Sequence, residues 1–271
     1  MLGTLDKMAV TLDDNGQAQY ALRVGEQQLP LNPLIGQPLS LHFTGNIRCC
    51  HCGRATKKSY SQGHCYVCMQ KLASCDMCIM KPETCHFAQG TCREPQWGED
   101  HCFVPHYVYL ANTSAIKVGI TRHTQLPTRW LDQGATQGMP LFRVNSRYLS
   151  GLIEVALAQL IADKTNWRAM LKGDNPPLDL KAEARLLLPQ IQQKLQALDN
   201  GRSFIIETLD APITQIRYPV SQYPTKIVSH NFDKNATVTG TLLGIKGQYL
   251  LFDTGVINIR KFTAYEVAVE L

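Results

Sequence analysis

Both ends of the chain alternate between apolar and polar positions, whereas apolar residues in the centre recur every three or four positions. Gln19-Tyr20-Ala21-Leu22-Arg23-Val24 and Leu39-Ser40-Leu41-His42-Phe43 have the period of two expected of half-buried strands. Asp14-Asn15-Gly16, Asn32-Pro33 and Gly45-Asn46 have turn chemistry, so residues 1–47 are predicted as an N-terminal β region. Residues 203–271 repeat the pattern, with strands predicted at 203–208, 213–217, 237–245, 248–252, 256–260 and 264–269. Lys246-Gly247 and Asp253-Thr254-Gly255 supply tight turns there. Such a series of short strands predicts a small β-barrel or sandwich. Gly3-Thr4-Leu5 before Gln19-Tyr20 matches Gly240-Thr241-Leu242 before Gln248-Tyr249, so the N-terminal strands can share that β-domain.

The helical rhythm lies between these ends. Leu180, Ala184, Leu187, Leu188, Ile191, Leu195 and Leu198 predict one apolar helix face, with Asn200-Gly201 as a stop and Pro189 as a kink or break. A second helix is predicted from about Ser150 to Asp163, where Leu152, Ile153, Ala156, Leu157, Leu160 and Ile161 share a face. Ser150 would be its N-cap and Glu154 would fall in its first or second turn. Asp174-Asn175-Pro176-Pro177 reads as a linker, placing a helical connection at 176–202.

A chain of 271 residues with 44% hydrophobic and 18% charged residues can bury a substantial core in two or three domains. The first residues lack a secretory pattern and no apolar run reaches the ~20 residues that cross a bilayer, so a cytoplasmic protein without membrane contact is expected. The net charge of +5 says less than its distribution. From Gln27 to Ser74 there is no acid beside Arg48, Arg54, Lys57, Lys58 and Lys71. From His101 to Ile153 Asp132 is the sole acid beside Lys117, Arg122, Arg129, Arg143 and Arg147. Basic stripes of this kind suit nucleic acid, with Arg54, Lys57, Lys58 and Arg122 as candidate contacts; they also offset the negative charge of a zinc–thiolate centre.

All ten cysteines fall between Cys49 and Cys102. In a reducing compartment this crowding points to metal ligands, so residues 48–104 are assigned to a cysteine-rich zinc-binding module. Cys49-x-x-Cys52-Gly53 and Cys65-x-x-Cys68 are the paired knuckles of a zinc ribbon, because two intervening residues let both sulfurs of a pair meet one tetrahedral ion. Cys50 and His51 lie inside the first knuckle and are not expected to ligate. The second group, Cys75-x-x-Cys78, Cys85-His86, Cys92 and His101-Cys102, offers more ligands than one tetrahedral site needs. A second structural zinc is expected there, and the cysteines could also hold an iron–sulfur cluster. A reactive thiol is a third reading, although adjacent cysteine and histidine do not by themselves make a nucleophile and base.

The next stretch runs His106-Tyr107-Val108-Tyr109-Leu110-Ala111-Asn112-Thr113-Ser114-Ala115-Ile116-Lys117-Val118-Gly119-Ile120-Thr121-Arg122, two strands about an Asn-Thr-Ser turn. A short Pro-led helix with Arg129, a helix with Glu154, and Asn166 follow. This order resembles the GIY-YIG nuclease superfamily over about 107–170. The resemblance implies that Tyr109 is the tyrosine of the first motif and Lys117-Val118-Gly119 the second motif. It also makes Arg129 the helix arginine, Glu154 the metal-binding glutamate and Asn166 the asparagine that follows. Tyr107 stands where the first glycine would be, and Lys117 replaces the second tyrosine, as in one branch of the superfamily. The whole arrangement, with a β-rich tail carrying Gly244-Ile245-Lys246-Gly247-Gln248-Tyr249, resembles a bacterial family of unknown function.

The fold expected is therefore α+β: a zinc-ribbon-like module, a GIY-YIG-like core over 105–175, and the β-domain over 203–271. The resemblance implies a metal-dependent nuclease acting on DNA or RNA, with Glu154 as the oxygen ligand for Mg²⁺ or Mn²⁺. Tyr109 or Lys117 would deprotonate water and Arg129 would clamp the phosphate, with His123 a weaker candidate base. Taken singly, each residue also has a plain structural role. Tyr109 can pack across strands, Lys117 can face solvent, Arg129 can pair with Asp132, and Glu154 can sit near a helix N-terminus. A non-catalytic nucleic-acid-binding protein on the same scaffold is the alternative.

Overall fold

The structure is a computed structural model and describes residues 1–161, 165–198 and 204–271. The chain opens with β1 (Leu2–Thr4), β2 (Ala9–Leu12), β3 (Ala18–Val24), β4 (Gln27–Pro30) and β5 (Pro38–Ile47). In β3 the alternation predicted from sequence becomes strict alternation of buried and half-buried side chains. Gly45-Asn46 is not a turn. β5 runs on through it to Ile47, and its pairing with the last strand shifts register between Tyr265 and Val267 to absorb the irregularity.

The cysteine-rich segment carries little regular structure beyond α1 (Tyr66–Lys71) and α2 (Pro95–Cys102). Then come β6 (His106–Asn112), β7 (Ile116–Arg122), α3 (Thr128–Asp132), β8 (Gln137–Val144), α4 (Arg147–Ala158), α5 (Trp167–Met170) and α6 (Leu180–Leu198). α4 begins earlier than predicted. Ser146, not Ser150, is its N-cap, accepting from the Leu149 N–H at 3.3 Å, while Ser150 is buried within the helix and donates back to the Arg147 carbonyl. Glu154 is consequently beyond the first turn, where the helix dipole acts, so proximity to the N-terminus does not explain it. The helix ends at Ala158, and the predicted end at Asp163 lies outside the described residues. α6 spans the predicted positions as one helix, with Pro189 inside it on an exposed face. Solvent there can satisfy the carbonyl that proline leaves without a donor. The predicted stop at Asn200-Gly201 lies outside the described residues.

The chain closes with β9 (Ile206–Thr208), β10 (Thr214–Gln215), β11 (Thr237–Lys246), β12 (Tyr249–Phe252), β13 (Gly255–Asn258) and β14 (Tyr265–Glu270). Its strands do not form a unit of their own. β9 and β10 pair with β8, extending the central sheet to the order β10-β8-β6-β7. The others join the N-terminal strands in a six-stranded sheet, β1-β14-β5-β11-β12-β13, which is open at β1 and β13 instead of closing into a barrel. β2, β3 and β4 form a three-stranded sheet that shares a core with it through Leu22, Val24, Leu39, Leu41, Val238 and Val267.

β6 is buried on both faces, and the two cores meet across it. Tyr109 and Ala111 face the β-rich core together with Trp130 and Leu131 of α3. Val108 and Leu110 face α4 and α6, against Ile153, Leu157, Leu180, Leu187 and Ile191. The segment expected to be a linker is pinned to this sheet: Asn112 Nδ2 donates to the Pro176 carbonyl at 3.0 Å, and the Leu178 N–H donates to Gln137 Oε1 at 2.7 Å. Among the described residues no helix is long and apolar enough to cross a membrane.

Candidate metal centre and basic pocket

β5 leads directly into the first knuckle. The Cys49 N–H donates to the Arg54 carbonyl and the Gly53 N–H to the Cys49 carbonyl, both at 2.9 Å, closing a tight loop around Cys52. Cys65 is the N-cap of α1 and Cys68 lies in its first turn, so the second pair is presented by the start of a helix. The sulfurs of Cys49, Cys52, Cys65 and Cys68 all lie within 4.8 Å of one another, and Cys52 and Cys65 are 3.8 Å apart. A tetrahedron with Zn–S bonds of ~2.3 Å has an edge of about 3.8 Å, so the four thiols have the geometry of a zinc site. Burial opposes ionisation of Cys49, but the backbone N–H groups of Cys52, Cys65 and His51 bring its pKa down to about 6. Cys50 and His51 are exposed and outside the tetrad. The basic loop between the knuckles leaves Arg54, Lys57 and Lys58 exposed, with Lys58 Nζ 5.7 Å from the Tyr60 ring.

The second group winds through single helical turns. Cys78, Cys85, Cys92 and Cys102 line one small cavity, and Cys75 does not. Asp76, Cys78 and His86 also come within 4.8 Å, but Asp76 is held by Arg93 at 2.6 Å and accepts from the Cys78 N–H. The His101 ring stacks on Trp97 at 4.3 Å.

The predicted catalytic residues divide between two places. Arg129 from α3 and Glu154 from α4 line one pocket of about 340 Å³ at the edge strand β7, with Arg122 beside them. Tyr109 lies fully buried, its hydroxyl donating to Gln133 Oε1 at 2.9 Å. Burial pushes its phenol up, and the adjacent Arg129 guanidinium opposes that shift. Lys117 and Asn166 lie elsewhere. Lys117 is buried in β7 opposite Ala111, about 17 Å along the strand from Arg122 at ~3.4 Å per residue. Asn166 caps α5, accepting from the Ala169 N–H, and its own N–H donates to Ser114 Oγ at the hairpin turn. His123 is exposed, with Nδ1 3.1 Å from the Pro105 carbonyl.

Three further cations complete the pocket: Lys7 before β2, Arg147 at the start of α4, and Arg260 just after β13. Asp132 is the second acid in the lining, and it is engaged by Lys7 at 3.0 Å and by Gln248 Nε2 at 2.9 Å, not by Arg129. Five cations thus face two carboxylates, Asp132 and Glu154. Burial lowers the pKa values of Arg147 and Arg260, and the Arg129 charge adds to both shifts. The lining carries more positive than negative charge, which suits an anion, and the Nε atoms of Arg129 and Arg147 are buried without a hydrogen-bond partner. Arg147 stood in the basic stripe of the sequence. Lys7 and Arg260 gave no local signal, because only the tertiary fold brings them here.

The family described as "Protein of unknown function (DUF2797)" matches residues 36–267, and the chain belongs to it. No curated protein and no solved structure matches the chain.

Proposed function

We propose that this family member is a metal-dependent phosphodiesterase acting on DNA or RNA, with the pocket beside β7 as its active site. The observation that carries the reading is that Arg129 and Glu154, far apart in sequence, line the same cation-rich pocket. The succession of β6, β7, α3, β8 and α4 supports it, because it has the order in which the GIY-YIG resemblance places its residues.

In this reading Arg122, Arg129, Arg147 and Arg260 hold a backbone phosphate and balance the charge that builds on it during hydrolysis. Glu154 supplies the hard oxygen ligand for Mg²⁺ or Mn²⁺, an ion that commonly binds through one carboxylate, substrate phosphate and water. Such an ion would polarise the phosphoryl oxygen when bound. Buried Tyr109 keeps its proton and positions Arg129 by contact. Lys117 and Asn166, toward the other end of the hairpin, carry no step. The zinc ribbon braces β5, and Arg54, Lys57 and Lys58 extend the grip on nucleic acid.

One observation favours a second reading. The excess of cations over acids suits anion binding without chemistry, so the same pocket could serve a nucleic-acid-binding protein on an inactive scaffold. Cleavage of labelled DNA and RNA with Mg²⁺ or Mn²⁺ separates the two. The nuclease reading expects Glu154→Gln to lose about 100-fold or more in rate while retaining binding. Arg129→Ala should weaken binding and reduce its salt slope by about one. Cleavage that is unchanged in Glu154→Gln would falsify the catalytic assignment, and salt-dependent binding without cleavage would favour the scaffold.

A further inference from the structure

We infer that Cys78, Cys85, Cys92 and Cys102 are the four ligands of a second tetrahedral metal ion, and that this ion is zinc. The site is independent of the nuclease reading. Cys78 lies in one short turn, Cys85 caps another, Cys92 precedes α2 and Cys102 ends it, yet all four line one cavity of about 20 Å³. That is close to the space a single water or ion needs, ~10–15 Å³, and favours one ion over a multi-iron cluster. Ile79, Phe87 and Trp97 line it beside the cysteines, and Asp76, His86 and Arg93 supply its polar side. Four thiolates form a soft donor set, which suits zinc.

Asp76 and His86 also line the cavity, with ligand atoms within 4.8 Å of Cys78 Sγ, but each is engaged by another side chain. Cys75 lies outside the cavity, next to Ser74, whose hydroxyl is 4.0 Å from its sulfur. Asp76 is engaged by Arg93. His86 directs Nδ1 to Thr91 Oγ1 at 2.7 Å and Nε2 toward Asp76 at 3.5 Å, so it orients the turn that carries Cys78. His101 uses Nδ1 on the Trp97 carbonyl at 2.9 Å.

Four protonated thiols crowded together gain little from the contact, whereas a divalent ion replaces each proton with a metal–sulfur bond. Every sulfur keeps its oxidation state, the protons pass to solvent, and the product carries two negative charges, which Arg147 faces. The site also braces the basic pocket. Ile79 lines both cavities and its carbonyl accepts from Arg147, while Pro82 lies so close to Gly151 of α4 that a Cβ there would come within 2.6 Å of the proline Cβ.

Metal content tests the assignment. Full-length protein purified without chelator should carry about two zinc ions per chain by plasma mass spectrometry. Cys85→Ser, Cys92→Ser and Cys102→Ser should each fall to about one, whereas Cys50→Ser, Cys75→Ser and His86→Ala should keep both. If the serine variants do not fold, zinc X-ray absorption of the wild-type protein decides. A shell of sulfur alone at ~2.3 Å is expected, and a nitrogen or oxygen component overturns the ligand set. The assignment also fails if the wild-type protein holds a single zinc, if His86→Ala loses one, or if iron and inorganic sulfide are found with a broad visible absorbance.

Discussion

Gly119 lies directly across the strand pair from Tyr109, and a Cβ at this position would lie 2.5 Å from the tyrosine oxygen and 2.6 Å from the ring carbon bearing it. The strand therefore needs the absence of a side chain here so that a buried aromatic ring can lie across it. Gly119→Ala is expected to destabilise the protein by about 1–3 kcal/mol in urea unfolding, by overpacking. Tyr109→Phe should not rescue it, because the ring carbons remain in the way. The sequence pairs these residues in two motifs but cannot reveal that one lies against the other. Local spacing nevertheless carried much at this scale. Cys49, Cys52, Cys65 and Cys68 were legible because both turns of a zinc ribbon are short-range devices. Asp132 was not legible: proximity in sequence suggested Arg129, whereas Lys7, distant in sequence, takes the ion pair.

At the scale of elements, the strand pattern and turn residues located β11 through β14 and the β6–β7 hairpin within a few residues. Helix boundaries were less legible. Two serines precede the apolar face of α4, and the one with a free backbone entry, Ser146, caps it. In α6 the apolar face fixed a continuous helix despite Pro189, since the packing of Leu187 and Ile191 against the sheet outweighs one lost hydrogen bond. Because Pro189 is exposed, its ring contributes little packing, and Pro189→Ala should restore the bond to the Arg185 carbonyl. Thermal and urea unfolding should report a gain of up to about 3 kcal/mol. No gain would mean that the helix already bends to accommodate the ring.

At the scale of the molecule, the segment 105–175 looks self-contained in sequence but is not so in space. One face of its sheet depends on Leu180, Ala184, Leu187 and Ile191 of α6, and the other on the β-rich core that surrounds Tyr109 and Trp130. A fragment of residues 105–175 is expected to remain unfolded, with poorly dispersed amide resonances, while the full chain gives a dispersed spectrum; a folded fragment would show that the sheet closes its cores alone. Periodicity could not have revealed this dependence, because it shows that a face is apolar without naming what covers it. The pocket shares the limitation: Lys7 and Arg260 come from the two flanks of the chain and meet Arg129 only once the β-rich core is assembled.

The six-stranded sheet also sets the order of events during synthesis. β5 pairs with β11 on one side and β14 on the other, and both partners are encoded in residues 237–270. At roughly 5–20 residues per second, a ribosome takes about 10–40 s to reach them after completing β5. Throughout that interval β5 has two bare edges and an apolar face, the profile that invites pairing with neighbouring nascent chains. The zinc ribbon, complete by Cys68, can close far sooner. A cysteine knot that can close early is thus tethered to a strand that must wait for the last strands to arrive.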